Sequence, residues 1–296
     1  MKKVSYLLVA YKSNDVIGDA VKSIQLQAGE FEREIIVIDN FASESCRDIV
    51  TALAPDTSVI INAHNDGFTR GINQATSSAT GEYLFCLNPD VQLSPDCTRL
   101  LINELESDSQ LAAAAPQLLN QDGSVQQSVR NFPTFATLIY EHFGLARLFP
   151  RSNRFGRWKN RYFDHESRTC VEQPMASAFL VRHDVLDRIG AWDERFFIFF
   201  SDVDICRRII DAGYRIIFAP DAKAHHGLGG STRKEGSWLI YDSHRGFYRY
   251  LAKHELRGIR ILLRPLAATI LSVSAVLRVI YREAVSVVTS MHSAAL

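Results

Sequence analysis

Asp202 and Asp204 stand two residues apart in SDVDICRR, directly after the run 196–200, in which only Ile198 is not aromatic. A carboxylate set against apolar rings loses hydration of its charged form, so its pKa rises and it becomes useful as a general base. The plainer reading is that both acids stabilise the N-terminus of the helix carrying Arg207 and Arg208. A second set of polar residues closes successive apolar runs: Tyr11, Asp39-Asn40, Asn65 and Asn88-Pro89-Asp90. Any one of these is an ordinary loop or cap residue. Four in succession point to a crevice for a nucleotide or phosphate. Asp90 brings the charged oxygen that a hard divalent cation prefers, and His225-His226 follows the last apolar run. No GxGxxG follows the first run and no GxxxxGK[ST] occurs, so neither a dinucleotide fingerprint nor a Walker-type loop is supported.

Such residues need a scaffold that brings strand ends together. The apolar runs 4–10, 34–39, 58–62 and 82–87 read as strands, and the amphipathic stretches 15–27, 43–53, 67–79 and 94–105 as helices. This alternation predicts an α/β fold, a Rossmann-like, mostly parallel sheet flanked by helices, with ligands at the C-terminal strand ends. The sequence NQDG at 120–123 marks a hairpin turn, and 132–169 is irregular, rich in Arg and aromatics. Beyond it, 175–182 reads as strand, 183–189 and 202–212 as helices, the second ended by Gly213, and 214–219 as a strand closed by Pro220. The remainder, 236–288, reads as helix with a break at Pro265.

In order along the chain, VAYKS, VIDNFASES, NDGFTRGIN, LNPDV, MASAFLVR, GAWDERFFIFFSDVDICRR and HHGLGGS resemble the inverting family 2 glycosyltransferases of GT-A fold, especially their bacterial rhamnosyltransferase-like branch, over residues 4–231. The resemblance implies a catalytic domain over 1–235, its nucleotide-sugar half near 1–115 and its acceptor half near 116–235, followed by a helical extension at 236–296. Carried onto matching positions, it makes Asp202 the base and puts Trp192, Asp193, Glu194 and Asp204 on the acceptor side. Ala10 and Tyr11 would wall the base pocket. Asp39 would accept from the pyrimidine N–H, a turn aspartate being the alternative. Asn65, Arg70 and Asn73 would border the nucleotide-sugar, Arg70 meeting the diphosphate, whose geometry suits a guanidinium. Asn88-Pro89-Asp90 occupies the place of the metal motif, with Asn for its first Asp, so that Mg²⁺ or Mn²⁺ would rest on Asp90. His226 would be a further ligand, its spacing to Ser231 favouring it over His225. Arg130 and Arg233 would lie near the diphosphates.

The 296 residues carry 33 Lys+Arg against 33 Asp+Glu and are 47% hydrophobic, enough for a sizeable core and against a disordered class. A zero formal charge argues against general nucleic-acid binding. Five cysteines without a CxxC pair read as free thiols of a reducing cytosol. Toward the C-terminus, however, Arg245, Arg249, Lys253, Arg257, Arg260, Arg264, Arg278 and Arg282 are opposed by Glu255 alone, among interleaved apolar residues. That suits the face of an anionic membrane, with packing on the catalytic domain or a homodimer partner as the alternative. The nearest approach to a spanning segment is 265–277, short of the ~18–20 apolar residues a bilayer needs. The expectation is a cytoplasmic enzyme, peripheral on the inner membrane face. It would move L-rhamnose from dTDP-β-L-rhamnose to a polyprenyl-diphosphate-linked saccharide with inversion, in O-antigen or cell-wall polysaccharide assembly. A hexose transferase using a UDP-sugar, or a degenerate nucleotide-sugar-binding scaffold, are the alternatives. A sugar nucleotidyltransferase would need a Gly- and Arg-rich loop that VAYKSNDVIG lacks.

Overall fold

The computed structural model describes residues 1–227 and 236–294, the side chains of 286–294 aside. Strand β1 (Lys2–Ala10) pairs in parallel with β2 (Phe31–Asp39) on one side and β4 (Tyr83–Leu87) on the other, and β2 carries β3 (Ser58–Ile61) at the edge. Helices lie on both faces of this sheet, so Val4–Leu8 and all of β4 are buried whichever way their side chains point. That explains runs of continuous apolar residues rather than alternation. Beyond β4 the sheet continues through β10 (Ala178–Arg182), β6 (Leu111–Leu119), β11 (Arg215–His226) and the short β5 (Val91–Leu93). Here β10 runs antiparallel to both neighbours, β6 and β11 are parallel, and β5 is antiparallel to β11. Strand β8 (Thr169–Cys170) also pairs with β11, and β7 (Val129–Arg130) with β9 (Gln173–Pro174) makes a separate ribbon.

Helices α1 (Ile17–Gln25), α2 (Arg47–Leu53) and α4 (Cys97–Ser107) cover one face through Ile17, Val21, Ile24, Val50 and Leu101. The other face is covered by α3 (Gly67–Ser78), α7 (His183–Ile189) and α8 (Ser201–Asp211), through Ile72, Val185 and Ile205. The irregular stretch contributes α5 (Phe135–His142) and the single turn α6 (Leu145–Leu148). Cys46, Cys86, Cys97 and Cys206 are buried and unpaired, and Cys170 is exposed and unpaired.

Four expectations are corrected. Strand β6 was not foreseen, because its run of four alanines carries the strongest helix propensity of any residue. Strand β11 does not stop at Pro220: a register shift between Ala219 and Lys223 absorbs the proline, which has no N–H for the ladder. Pro265 does not break a helix but sits in the first turn of one, Arg264–Ala294, where its missing N–H costs nothing. The break lies earlier, where the helix Trp238–Tyr250 passes through a π-helical turn at Leu251–Glu255 into a 3₁₀ segment at Gly258–Leu263. Finally, Gly258–Val285 is long and apolar enough to cross a membrane by length and composition alone, with mean hydropathy 1.6. One face of it, at Ala267, Leu271 and Ala275, nonetheless packs onto the protein.

The basic C-terminal span is divided rather than uniform. Phe247, Tyr250 and Leu251 are core residues, and Lys253 and Arg264 point inward to a carboxylate pair and to main-chain carbonyls. Exposure begins at Ile259 and continues through Leu262, Val273, Leu277, Ile280 and Tyr281.

Candidate active site

Ala10, Asp39 and Asn88 end or follow the neighbouring parallel strands β1, β2 and β4, so topology alone brings them to one edge. Tyr11 stacks edge-on against Phe41 with ring centroids 5.5 Å apart, and the Lys12 ammonium lies 5.0 Å from the Tyr11 ring. Lys12, in left-handed backbone at φ 51°, was not singled out in the sequence. Asp39 is buried and already accepts three hydrogen bonds from its own loop: Phe41 N at 3.0 Å, Ser45 Oγ at 2.8 Å and Cys46 N at 2.8 Å. The turn-aspartate reading therefore describes what this side chain does here.

The NDGFTRGIN stretch proves to be a brace. Asn65 Oδ1 accepts from Gly67 N at 3.0 Å and opens α3. At that helix start, Phe68 N and Thr69 N donate to the Phe197 carbonyl at 2.9 and 3.3 Å. Gly67 has φ +83°, and a Cβ there would lie 2.7 Å from the Phe197 ring, so only glycine fits. Asn73 clamps the main chain of Trp192 from both sides: its Nδ2 donates to Trp192 O at 2.9 Å and its Oδ1 accepts from Trp192 N at 3.0 Å. Arg70 is exposed and pairs with Glu194 at 3.3 Å. Asn73 and Arg70 thus face the 192–197 loop.

Trp192, Asp193 and Asp204, expected on the acceptor side, are each engaged by partners within the protein. Trp192 is buried against Phe68, with ring centroids 5.7 Å apart. Asp193 is paired with Arg195 at 2.6 Å and Lys253 at 2.7 Å, and Arg195 above all holds its carboxyl far below the usual range. Asp204 is wholly buried. Burial pushes its carboxyl up, but the hydrogen bonds from His254 and Lys253 and the charge of Arg208 outweigh that and leave it below its ordinary value. Those three partners lie at 2.7, 2.7 and 3.0 Å. Sequence offered no signal for Lys253 and His254, which belong to the turn after residue 250.

Asp202 differs from both. It is half-buried at a cavity of 350 Å³ lined also by Arg130, Trp158, Gln173, Phe200 and Phe247. Burial raises its carboxyl pKa, opposed by the Val203 amide, the Arg130 charge and the Ala176 amide. Gln173 Nε2 donates to its Oδ2 at 3.0 Å. Phe200, just before the helix, adopts φ 69°, and its ring stacks on Phe247 with centroids 5.0 Å apart. Of the aromatic run, Phe199 and Phe200 line the cavity with Asp202, whereas Phe197 packs against Trp238. Arg130 lies beside this cavity, its guanidinium carbon 5.9 Å from the Trp158 ring centroid.

Asp90 and His226 come together because β5 and β11 pair, His226 opposite Val91. His226 Nε2 lies 3.5 Å from Asp90 Oδ1, is buried and has no hydrogen-bond partner among the described residues. Its Nδ1 meets Gln126 Oε1 at 3.0 Å, while Gln126 Nε2 donates to the His226 carbonyl at 2.8 Å. Burial lowers the imidazole pKa against the raising charge of Asp90, which favours the neutral ring. This is the one pair of predicted site residues suited to a divalent cation. Among the described residues no cluster of three or more His, Cys, Asp or Glu is arranged to hold one. His225 is exposed, its Nδ1 3.4 Å from the Asn120 carbonyl. The two centres are joined through residues 176 and 177: the Ala176 amide serves Asp202, and Ser177 O accepts from Asn88 N at 2.9 Å. Arg233 lies outside the described residues.

Polar residues ending parallel strands, a half-buried acid at a cavity and a His–Asp pair where β5 meets β11 are the groups available here for chemistry. The chain belongs to glycosyl transferase family 2, whose model matches residues 5–170, and it is a glycosyltransferase of the hexosyltransferase class. Among curated proteins it is 25% identical over 234 residues to N-acetylglucosaminyl-diphospho-decaprenol L-rhamnosyltransferase of Mycobacterium tuberculosis, covering 74% of each chain. It is 23% identical over 269 residues to rhamnosyltransferase WbbL of Escherichia coli K12, covering 87% of this chain and 96% of that one. Among solved structures, GalNAc-T7 with UDP, GalNAc and Mn²⁺ superposes with a TM-score of 0.61 at 14% identity, over 85% of this chain and 48% of that one. The fold is accordingly GT-A-like, as expected.

Proposed function

We propose that this glycosyltransferase moves L-rhamnose from dTDP-β-L-rhamnose to a prenyl-diphosphate-linked saccharide, with inversion. The observation that carries the mechanism is the placement of Asp202: a carboxylate raised by burial, oriented by Gln173 and opening into a cavity. It takes the proton of the acceptor hydroxyl as that oxygen attacks the anomeric carbon, so one displacement inverts the centre. His226 Nε2 lies 3.5 Å from a carboxylate oxygen of Asp90 and has no hydrogen-bond partner among the described residues, an arrangement that a cation relieves. Asp90 and His226 thus fit Mg²⁺ or Mn²⁺, which when bound supplies Lewis-acid stabilisation of the departing diphosphate. Arg130 adds positive charge beside Asp202, and Tyr11 with Phe41 offers an aromatic wall at the strand ends for a nucleobase.

The names of the relatives support rhamnose and a lipid-linked acceptor. The exposed apolar face of the terminal helix supports membrane association, and the location we propose is the cytoplasmic face of the inner membrane. A thermal-shift screen of nucleotide-sugars with Mn²⁺ or Mg²⁺, followed by transfer to a lipid-linked saccharide, tests the reading. Stabilisation and turnover by dTDP-rhamnose support it. Preference for a UDP-hexose shifts it to another hexose, which the 24% identity over 259 residues to the Haloferax volcanii hexosyltransferase Agl10 also favours. Binding without turnover identifies a nucleotide-sugar-binding scaffold.

A further inference from the structure

We propose that residues 143–163 form a second contact with an anionic lipid bilayer, set beside the terminal helix so that the two flank the cavity of Asp202. The segment holds Arg147, Arg151, Arg154, Arg157, Lys159 and Arg161 and not one Asp or Glu. Arg157 and Lys159 are engaged with Glu172 and Glu141 at 2.8 and 2.6 Å. Arg147, Arg151 and Arg161 are exposed and form no ion pair among the described residues. Before and between them, Phe143 is 69% exposed, Leu148 70% and Phe149 53%. Cations alternating with outward apolar side chains suit the headgroup boundary, where both find a partner at once. Trp158 and Phe163 are turned inward, onto Phe247 and Phe218, while Phe143, Phe149 and Tyr162 stay exposed, so stacking on a single-stranded nucleic acid is an outcome of the test below.

Position makes the surface useful. Helix α5, which leads into the segment, packs against the terminal helix. Glu141, His142, Trp158 and Lys159 from this side and Leu271 and Arg278 from the terminal helix line the cavity that reaches Asp202. A bilayer held by both elements brings that cavity to the level at which a lipid-linked saccharide leaves the membrane. The inference rests on the lipid-linked reading given above and adds its docking surface.

The test is co-sedimentation of the full chain with vesicles of phosphatidylcholine alone or mixed with phosphatidylglycerol. The expected result is partition into the anionic vesicles only, falling about tenfold or more in the double variant Arg147→Glu, Arg151→Glu with an unchanged melting temperature. A second pair, Phe143→Ser with Leu148→Ser, lowers partition at equal charge and serves if the first does not fold. Wild-type partition in both pairs, absence of vesicle binding by the parent protein, or equal binding to neutral vesicles overturns the proposal, as does release from vesicles by a single-stranded oligonucleotide. Transfer to a water-soluble, short-chain acceptor stays intact in these variants, because none of the four residues belongs to the catalytic machinery. Loss of vesicle binding in a protein that glycosylates no lipid-linked saccharide keeps the docking surface and discards the acceptor.

Discussion

Gln126 dictates which nitrogen of His226 carries the proton. Its Nε2 donates to the His226 carbonyl at 2.8 Å, so its Oε1 is left to face Nδ1 at 3.0 Å. An amide oxygen accepts only, so Nδ1 bears the hydrogen and Nε2 presents its lone pair to Asp90.

Gln126→Ala should therefore weaken metal-dependent binding of a nucleotide diphosphate while leaving the fold intact. Outer partners of a ligating histidine typically matter by about 10–100-fold in metal affinity. Titrating Mn²⁺ against the melting temperature with dTDP present measures it. Asp90→Ala should abolish the metal response altogether, and excess EDTA should remove activity from the parent enzyme. Full activity in EDTA would remove the metal from the mechanism.

Asp202→Asn should lower turnover by about 10²–10⁴-fold, the usual contribution of a general base, with donor affinity little changed. Because burial raises this carboxyl, the base must lose its proton at a pH above the ordinary carboxylate range. The acid limb of kcat/KM should lie there, and it should vanish in the variant's residual activity. An acid limb at the usual carboxylate pH would assign it to another group.

Asp204→Asn should act on stability first. Removing one member of a buried ion cluster typically costs about 3–5 kcal/mol. The pKa of Asp204 is depressed in the folded protein, so its stabilising effect is present above the unfolded carboxylate pKa and is lost as pH falls through the folded one. Urea unfolding of parent and variant at several pH values should show the gap closing on acidification. A constant gap would mean that proton linkage at this site is negligible.

Gly67→Ala should destabilise by about 1–3 kcal/mol, combining left-handed backbone strain with the Phe197 clash. Since α3 holds the loop that leads to Asp202 through the Phe197 carbonyl, turnover of the folded fraction should fall as well. Chemical denaturation and activity measured on the same preparation separate the two.

The parallel half of the sheet is legible in the sequence because β1, β2 and β4 each carry an apolar run, Tyr6–Ala10, Ile35–Ile38 and Tyr83–Leu87, followed by a polar residue. The Asp90–His226 meeting is not, since it depends on β5 reaching the far edge of the sheet to pair with β11. Asp202 and its aromatic wall are adjacent in the chain and so could be read locally. The ion pairs of Asp193 and Asp204 are not legible in sequence, where both read as acceptor-side residues, because the lysine that joins them arrives from residue 253. Nothing in the sequence links Asn73 to Trp192, because the clamp between them spans 119 residues.

The dependence of Asp204 on Lys253 and His254 also sets an order of events during synthesis. A ribosome adding about 5–20 residues per second delivers Asp204 well before its partner 49 positions later. Until that turn emerges, the helix bearing Asp202 has a charge in its core with only Arg208 to answer it. The exposed apolar helix, starting at Arg264, follows that turn. A nascent chain thus acquires the braces of Asp204 before the exposed apolar face of that helix.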